Sequence, residues 1–92
     1  MIVSFKHAGL QGFYMTGSKA GIDPQHATKL RLQLTALASA TAPIDLSAPA
    51  WRLHPLAGDR AGEWAMTVRA NWRLTFRFTL AGVELLDYID YH

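Results

Sequence analysis

Ninety-two residues leave room for one domain, residues 1–92, and exclude a second core, since a chain this short buries only about 60–65% of its unfolded surface. The absence of cysteine excludes disulfides, thiolate chemistry and every cysteine-based zinc site, and suits a reducing compartment. Three Trp, three Tyr and four Phe can fill a core, whereas a net charge of +2 means that any affinity for a polyanion must come from local clustering.

The chain starts with Met1-Ile2-Val3-Ser4-Phe5-Lys6, and residues 2–6 alternate as a short strand. This start lacks the basic lead and apolar stretch of a signal peptide. No later run reaches the roughly 20 apolar residues of a membrane helix, so a soluble, cytoplasmic protein with no membrane partner is expected. Leu10, Phe13 and Tyr14 then fall at helical spacing, and Gly17 is placed to end that helix. A stronger helix follows. Asp23 is a good N-cap, Pro24 suits the first helical position, and Ala27, Leu30, Leu34, Leu37 and Ala38 line one face to about residue 40. Lys29, Gln33 and Ser39 fall elsewhere on it, and His7 and His26, at predicted helix ends, read as surface groups.

Residues 41–50 carry two prolines, an Asp, one Thr and one Ser, which reads as a surface connection. Beyond it the period changes to two. Trp64, Met66 and Val68 alternate with Glu63, Ala65 and Thr67, then Trp72, Leu74, Phe76 and Phe78 with Asn71, Arg73, Thr75 and Arg77. The break at Arg69-Ala70-Asn71 predicts a hairpin. A turn at Ala81-Gly82 leads into a last strand from Val83 to about Tyr91, with Val83, Leu85, Ile89 and Tyr91 on one face. The order predicts an α+β fold: two N-terminal helices packed on one face of a mainly antiparallel sheet of about four or five strands. The other face carries Arg73 and Arg77 and is the natural place for a ligand.

Five of the nine basic residues are Arg52, Arg60, Arg69, Arg73 and Arg77, whereas Glu84, Asp87 and Asp90 come later. A local basic surface of that kind is what polyphosphate binding requires. Near it in sequence stand His54, followed by Pro55, and the chain's last three residues, Asp90, Tyr91 and His92. Cutting RNA without a metal needs a base for the ribose 2′-hydroxyl, a donor for the crowded phosphate, and an acid for the departing 5′-oxygen. Histidine suits both proton roles because free imidazole titrates near 6.5, and arginine suits the phosphate. These residues are sufficient for that chemistry without being specific to it. Asp87, Asp90, His54 and His92 lack the tight spacing of a metal site, so neither metal nor cofactor is expected.

Four segments also resemble the HigB branch of the RelE/ParE toxin superfamily. They are Phe13 to Gly21, Trp51 to Gly58 (Trp-Arg-Leu-His-Pro-Leu-Ala-Gly), Asn71 to Phe78 (Asn-Trp-Arg-Leu-Thr-Phe-Arg-Phe) and Asp87 to His92 (Asp-Tyr-Ile-Asp-Tyr-His). The resemblance implies a toxin of a type II toxin–antitoxin pair: a metal-independent endoribonuclease that cuts messenger RNA on the ribosome with a shallow sheet surface. It implies a HigA-type helix-turn-helix antitoxin as partner, with operator DNA met only through that antitoxin. By the matching motifs it implies His54, Arg73, Asp90, Tyr91 and His92 as catalytic residues. Arg52, Arg60, Arg69 and Arg77 are expected to bind RNA. Which histidine is base and which is acid stays open. Two other readings of the same features are a ParE-like toxin directed at DNA gyrase and a catalytically weak module that only binds an antitoxin. Many relatives carry lysine where this chain has Ala57, and Arg60 in the same loop is a candidate to restore that charge. Finally, strand parity puts Tyr91 opposite to Asp90 and His92, so a bulge or frayed end is expected there.

Overall fold

The capping signals bound both helices where the sequence places them. In a computed structural model that describes residues 1–90, helix α1 spans Ala8–Thr16 and helix α2 spans Ala27–Ser39. Gly17 closes α1 in the left-handed region, at φ 80°, with its N–H on the Phe13 carbonyl, a conformation that costs glycine least. Asp23 accepts from the Gln25 N–H at 2.9 Å and opens a 3₁₀ turn, Pro24–His26, that runs into α2. Gly9 and Gly21 let α1 and this approach segment touch backbone to backbone. A Cβ on Gly9 would stand 2.3 Å from the Gly21 carbonyl oxygen.

The second half is an antiparallel meander: β1 (His54–Pro55), β2 (Glu63–Arg69), β3 (Trp72–Thr79) and β4 (Gly82–Asp90), hydrogen-bonded in that order. The predicted strand at residues 2–6 is present only as two parallel bridges, Ile2 to Val83 and Phe5 to Leu86, on the free edge of β4. Residues 41–50 form the expected connection, two 3₁₀ turns pinned by the buried Leu46. Pro55 lies on the edge strand, where a missing N–H costs no ladder bond.

The core lies between the helices and one sheet face. Leu10, Phe13, Leu30, Leu34 and Leu37 pack there with Met66, Val68, Leu74, Phe76, Val83 and Leu86. Two bulges correct the predicted faces. Between Thr75 and Arg77 on β3 the register to β4 shifts, so Leu85 and Leu86 together face the one intervening residue. Leu85 takes φ 54°, and its N–H is met by the Ser4 hydroxyl at 2.9 Å. Beyond this point the parity is reversed: Val83, Leu86 and Tyr88 are buried, while Leu85 is exposed, not the Val83–Leu85–Ile89 face that simple alternation predicts. The bulge expected around Asp90, Tyr91 and His92 falls partly on Tyr91 and His92, which lie outside the described residues. The other shift, between Thr67 and Arg69, sets Val68 and Arg69 against Trp72.

Gln33 and His26 are corrections too. Gln33 is fully buried and donates Nε2 to the Thr67 carbonyl at 2.7 Å, which ties α2 to the β2 bulge. His26 is 4% exposed, and its Nδ1 stands 2.6 Å from the Tyr88 hydroxyl. The Asp23 N–H donates to that hydroxyl at 3.4 Å, which leaves the phenol proton for His26. Burial pushes the Tyr88 phenol above its ordinary value of 10.0, which keeps that donor in place. Trp72 stacks on Tyr88 with centroids 4.5 Å apart, and His7 and His26 meet its ring edge-on. His7 also caps α1, its Nδ1 accepting from Leu10 N–H at 2.9 Å. Neither histidine is the plain surface group expected. Tyr88→Phe should cost about 1–3 kcal/mol by leaving the buried His26 nitrogen unpaired. Denaturant unfolding measures this, and an unchanged midpoint would mean that the nitrogen finds another donor.

Candidate active site

Sheet pleating decides which predicted residues can meet. Residues paired across strands share a face, and residues two apart on a strand share it as well. Pairing aligns His54, Ala65, Thr75 and Asp87 in one row across all four strands. Thr67, Arg73 and Ile89 form the next row, towards the β2–β3 hairpin. Glu63, Arg77 and Glu84 lie on the other side of the first row. All three rows are on the face turned away from the helices, which is the predicted ligand face. Strand spacing puts the backbones of His54 and Arg73 roughly 12 Å apart, a gap that an imidazole and an arginine can bracket from its two sides.

His54 is exposed, and its Nδ1 lies 2.9 Å from the Arg52 carbonyl oxygen. A carbonyl only accepts, so Nδ1 carries the hydrogen and Nε2 of the neutral ring holds the lone pair. Arg52 presents that carbonyl from a left-handed conformation, φ 49°, at the end of the 3₁₀ turn Pro49–Trp51. The strained turn thus selects the histidine tautomer. Arg73 is half-buried, and its Nη1 donates to the carbonyls of Ala70, at 2.5 Å, and Trp72, at 3.1 Å. Ala70 has φ 50° in the two-residue turn between β2 and β3. One arginine therefore both closes this turn and fixes its own guanidinium at the hairpin end of the open face.

Arg60 lies across the middle of the same face. Its Nε and Nη2 donate to the two Glu63 carboxylate oxygens at 3.1 and 2.8 Å, and Nη2 also reaches the Thr75 hydroxyl at 3.2 Å. The fork is thereby committed to the Glu63 carboxylate and the Thr75 hydroxyl. Sequence reading missed Glu63, although its place three residues after Arg60 was a readable cue. The hydrogen bond from Arg60 holds the Glu63 carboxyl below its ordinary value of 4.5, with Arg77 also favouring the charge. A carboxyl depressed on folding adds stability above its unfolded value and loses it as the pH falls through the folded one. Glu63→Gln should accordingly lower the unfolding midpoint at pH 7, with a deficit that shrinks as the pH falls below 4.5 and through the folded value. A deficit that persists in acid would mean that Glu63 acts through packing.

The remaining candidates are not all on this face. Arg77 is exposed, beside Gly62 and Glu63. Asp90 pairs with Trp72 in the row on the helix side, so Arg73 and Asp90 flank the hairpin end of the sheet from opposite sides. The β2 bulge also turns Arg69 to the helix side, where its Nη1 donates to Gln25 Oε1 at 3.4 Å. Arg52 is exposed at the edge. Tyr91 and His92 lie outside the described residues. Among those described, no group of three His, Asp or Glu stands close enough to hold a metal, and no helix is long and apolar enough to cross a membrane.

A family model described as the RelE-like toxin of type II toxin–antitoxin system HigB matches residues 3–92. The chain is 44% identical over 92 residues to the endoribonuclease HigB of Proteus vulgaris, with 100% of each chain covered. Among solved structures it is similar to YafQ from E. coli strain BL21(DE3), with a TM-score of 0.58 at 19% identity over 96% of this chain and 86% of that one. It is also similar to a YoeB/ParE toxin from Agrobacterium tumefaciens, with a TM-score of 0.56 at 22% identity over 99% and 96%. At such identities the two structures speak for the fold alone.

Proposed function

The chain belongs to the HigB family of RelE-like toxins of type II toxin–antitoxin systems, and from this we propose that it is an endoribonuclease that cuts messenger RNA on the ribosome. Family membership brings an antitoxin partner with it. Our reading makes that partner a HigA-type helix-turn-helix protein, through which alone the toxin meets operator DNA, and makes the cytoplasm the place of action. The observation that carries the reading is the contact of His54 Nδ1 with the Arg52 carbonyl, which leaves Nε2 of this exposed side chain free to accept, on the sheet face that also bears Arg73.

In this mechanism Nε2 of His54 takes the proton from the ribose 2′-hydroxyl. The 2′-oxygen attacks the adjacent phosphorus, and Arg73 donates to the non-bridging oxygens as charge builds on them. The bond to the 5′-oxygen breaks, and that oxygen takes a proton from His92, with Asp90 assisting. Tyr91 has the role of orienting the substrate. One fragment ends in a 2′,3′-cyclic phosphate and the other begins with a 5′-hydroxyl. The attacking group belongs to the substrate, so the step calls on neither metal nor cofactor. Arg52 and Arg77 add phosphate contacts at the edge and far side of the face, and Arg60 orders the loop between β1 and β2.

Incubating a defined message with the chain, with and without ribosomes and in EDTA for the ribosome-free arm, tests this proposal. Cuts confined to ribosome-bound message are expected. A folded chain that cuts nothing but inhibits DNA gyrase would overturn the reading in favour of a ParE-like target. A folded chain that does neither would be an antitoxin-binding module.

A further inference from the structure

The five arginines that cluster in sequence do not share one surface, and the displaced one has its own surroundings. Because Val68 and Arg69 both oppose Trp72 at the β2 bulge, Arg69 leaves the face of Arg73 and turns towards α2. There it borders a hollow of about 350 Å³ together with Gln25, Thr28, Lys29, Leu32 and Val68, whose inner wall reaches His26. The size is at the lower end for small-ligand sites, roughly 300–1,000 Å³. Arg69 and Lys29 supply two cations, and among the described residues no acidic side chain lines the hollow. Gln25 accepts from Arg69 and steadies it, Thr28 brings a hydroxyl, and Val68 and the exposed Leu32 give an apolar floor. This is the donor and floor pattern of a nucleotide contact: cations for the phosphate and an apolar surface for the sugar or base.

Position decides between an RNA and a peptide as occupant. Arg69, Trp72 and Asp90 form one transverse row on the helix side of the hairpin end. Arg73 stands one residue further along β3, on the opposite face of the same end. An RNA strand held by Arg73 that rounded the β2–β3 hairpin would bring its next phosphates to Arg69 and Lys29. Cation continuity of that kind follows a polyphosphate backbone.

We infer that the hollow between the start of α2 and the β2 bulge is a second RNA-binding site, in which Lys29 and Arg69 hold phosphates next to those at the cleavage face. This rests on the endoribonuclease reading, and it explains how one small sheet can hold RNA on both sides of its hairpin end.

The test measures binding, not cleavage. In a His54→Ala background, which keeps the message whole, sedimentation with ribosomes carrying a defined message is followed from about 50 to 200 mM salt. Lys29→Glu with Arg69→Glu should weaken binding more than tenfold and flatten the log–log salt slope by about 1.5–2, as the loss of two phosphate contacts requires. Charge reversal at the exposed Lys19 serves as control and should shift neither. The neutral pair Lys29→Gln and Arg69→Gln, expected to lie between, guards against misfolding of the reversed one. Binding by both pairs equal to the Lys19→Glu control would overturn the second site and leave the cleavage reading standing. So would intact ribosome binding with lost capture of the antitoxin, which would give the hollow to that partner. A background chain that does not bind ribosomes at all would overturn both readings together.

Discussion

His54→Ala should slow single-turnover cleavage of ribosome-bound message by about 10²–10⁴-fold, the usual contribution of one positioned base or acid. The fold should not notice. His54 is exposed on a two-residue edge strand, and its one described side-chain hydrogen bond goes to the carbonyl of Arg52. Melting temperatures of the two proteins should therefore agree within about 1–2 °C, as expected for a surface change worth under 0.5 kcal/mol. A further variant, read against Arg52→Ala, which removes the side chain alone, separates orientation from chemistry. Arg52→Pro denies the backbone its left-handed conformation at φ 49°, since proline is held near −65°, and moves the carbonyl that fixes the tautomer. It should lower cleavage while His54 itself is intact. Full activity of the His54→Ala chain would remove the base from the account and leave the end of β4 to supply both proton transfers.

Arg73→Ala is expected to do two things of different size. Cleavage should fall by about 10²–10³-fold, the range seen when one donor to a developing oxyanion is removed. Stability should fall by only about 1–2 kcal/mol, because Nη1 gives up its bonds to the Ala70 and Trp72 carbonyls at a turn open to water. Arg73→Lys keeps the charge but loses the planar fork, so it should recover part of the stability and little of the rate. Rates and unfolding free energies measured on the same preparations distinguish the outcomes. Lost stability with retained cleavage would make Arg73 a turn residue and move the phosphate contact to Arg77.

The periodicity of the sequence was enough to place both helices, the β2–β3 hairpin and the α+β layering, because each signal is local. Asp23, Pro24 and Gly17 act on their own turn of helix, and the alternation of β3 survives intact along its core side. What periodicity does not carry is the pair of bulges. A one-residue slip depends on partners far along the chain: Ser4, which meets the Leu85 N–H, and Gln33, which meets the Thr67 carbonyl. Neither strand announces it. The slips nevertheless decide the site, since the β2 bulge moves Arg69 off the face of Arg73, and the β4 bulge brings Tyr88 to the core and Ile89 opposite Arg73.

His26 illustrates the same limit. Its polarity and helix-end position read as surface, yet a phenol 62 residues away makes its burial affordable. Arg60 was legible as a charge, and its Glu63 partner was readable three residues on, but the Thr75 hydroxyl is brought to it only by strand pairing. Residue chemistry singled out His54 and alternation put Arg73 on the ligand face; the matching motifs implied their catalytic roles, and strand pairing puts the two on one face. Asp90 came with them by motif, and pairing puts it in the row of Trp72 instead.

The most direct test of the central claim replaces a single ribose. Once the cut site in a defined message is mapped on the ribosome, the nucleotide on its 5′ side is replaced with its 2′-deoxy form. The account predicts that the cut disappears, that sites elsewhere in the message are still cut, and that the unmodified message yields a 2′,3′-cyclic phosphate. Undiminished cleavage at the deoxy position would contradict it, since the attacking oxygen would then have to come from somewhere other than the substrate.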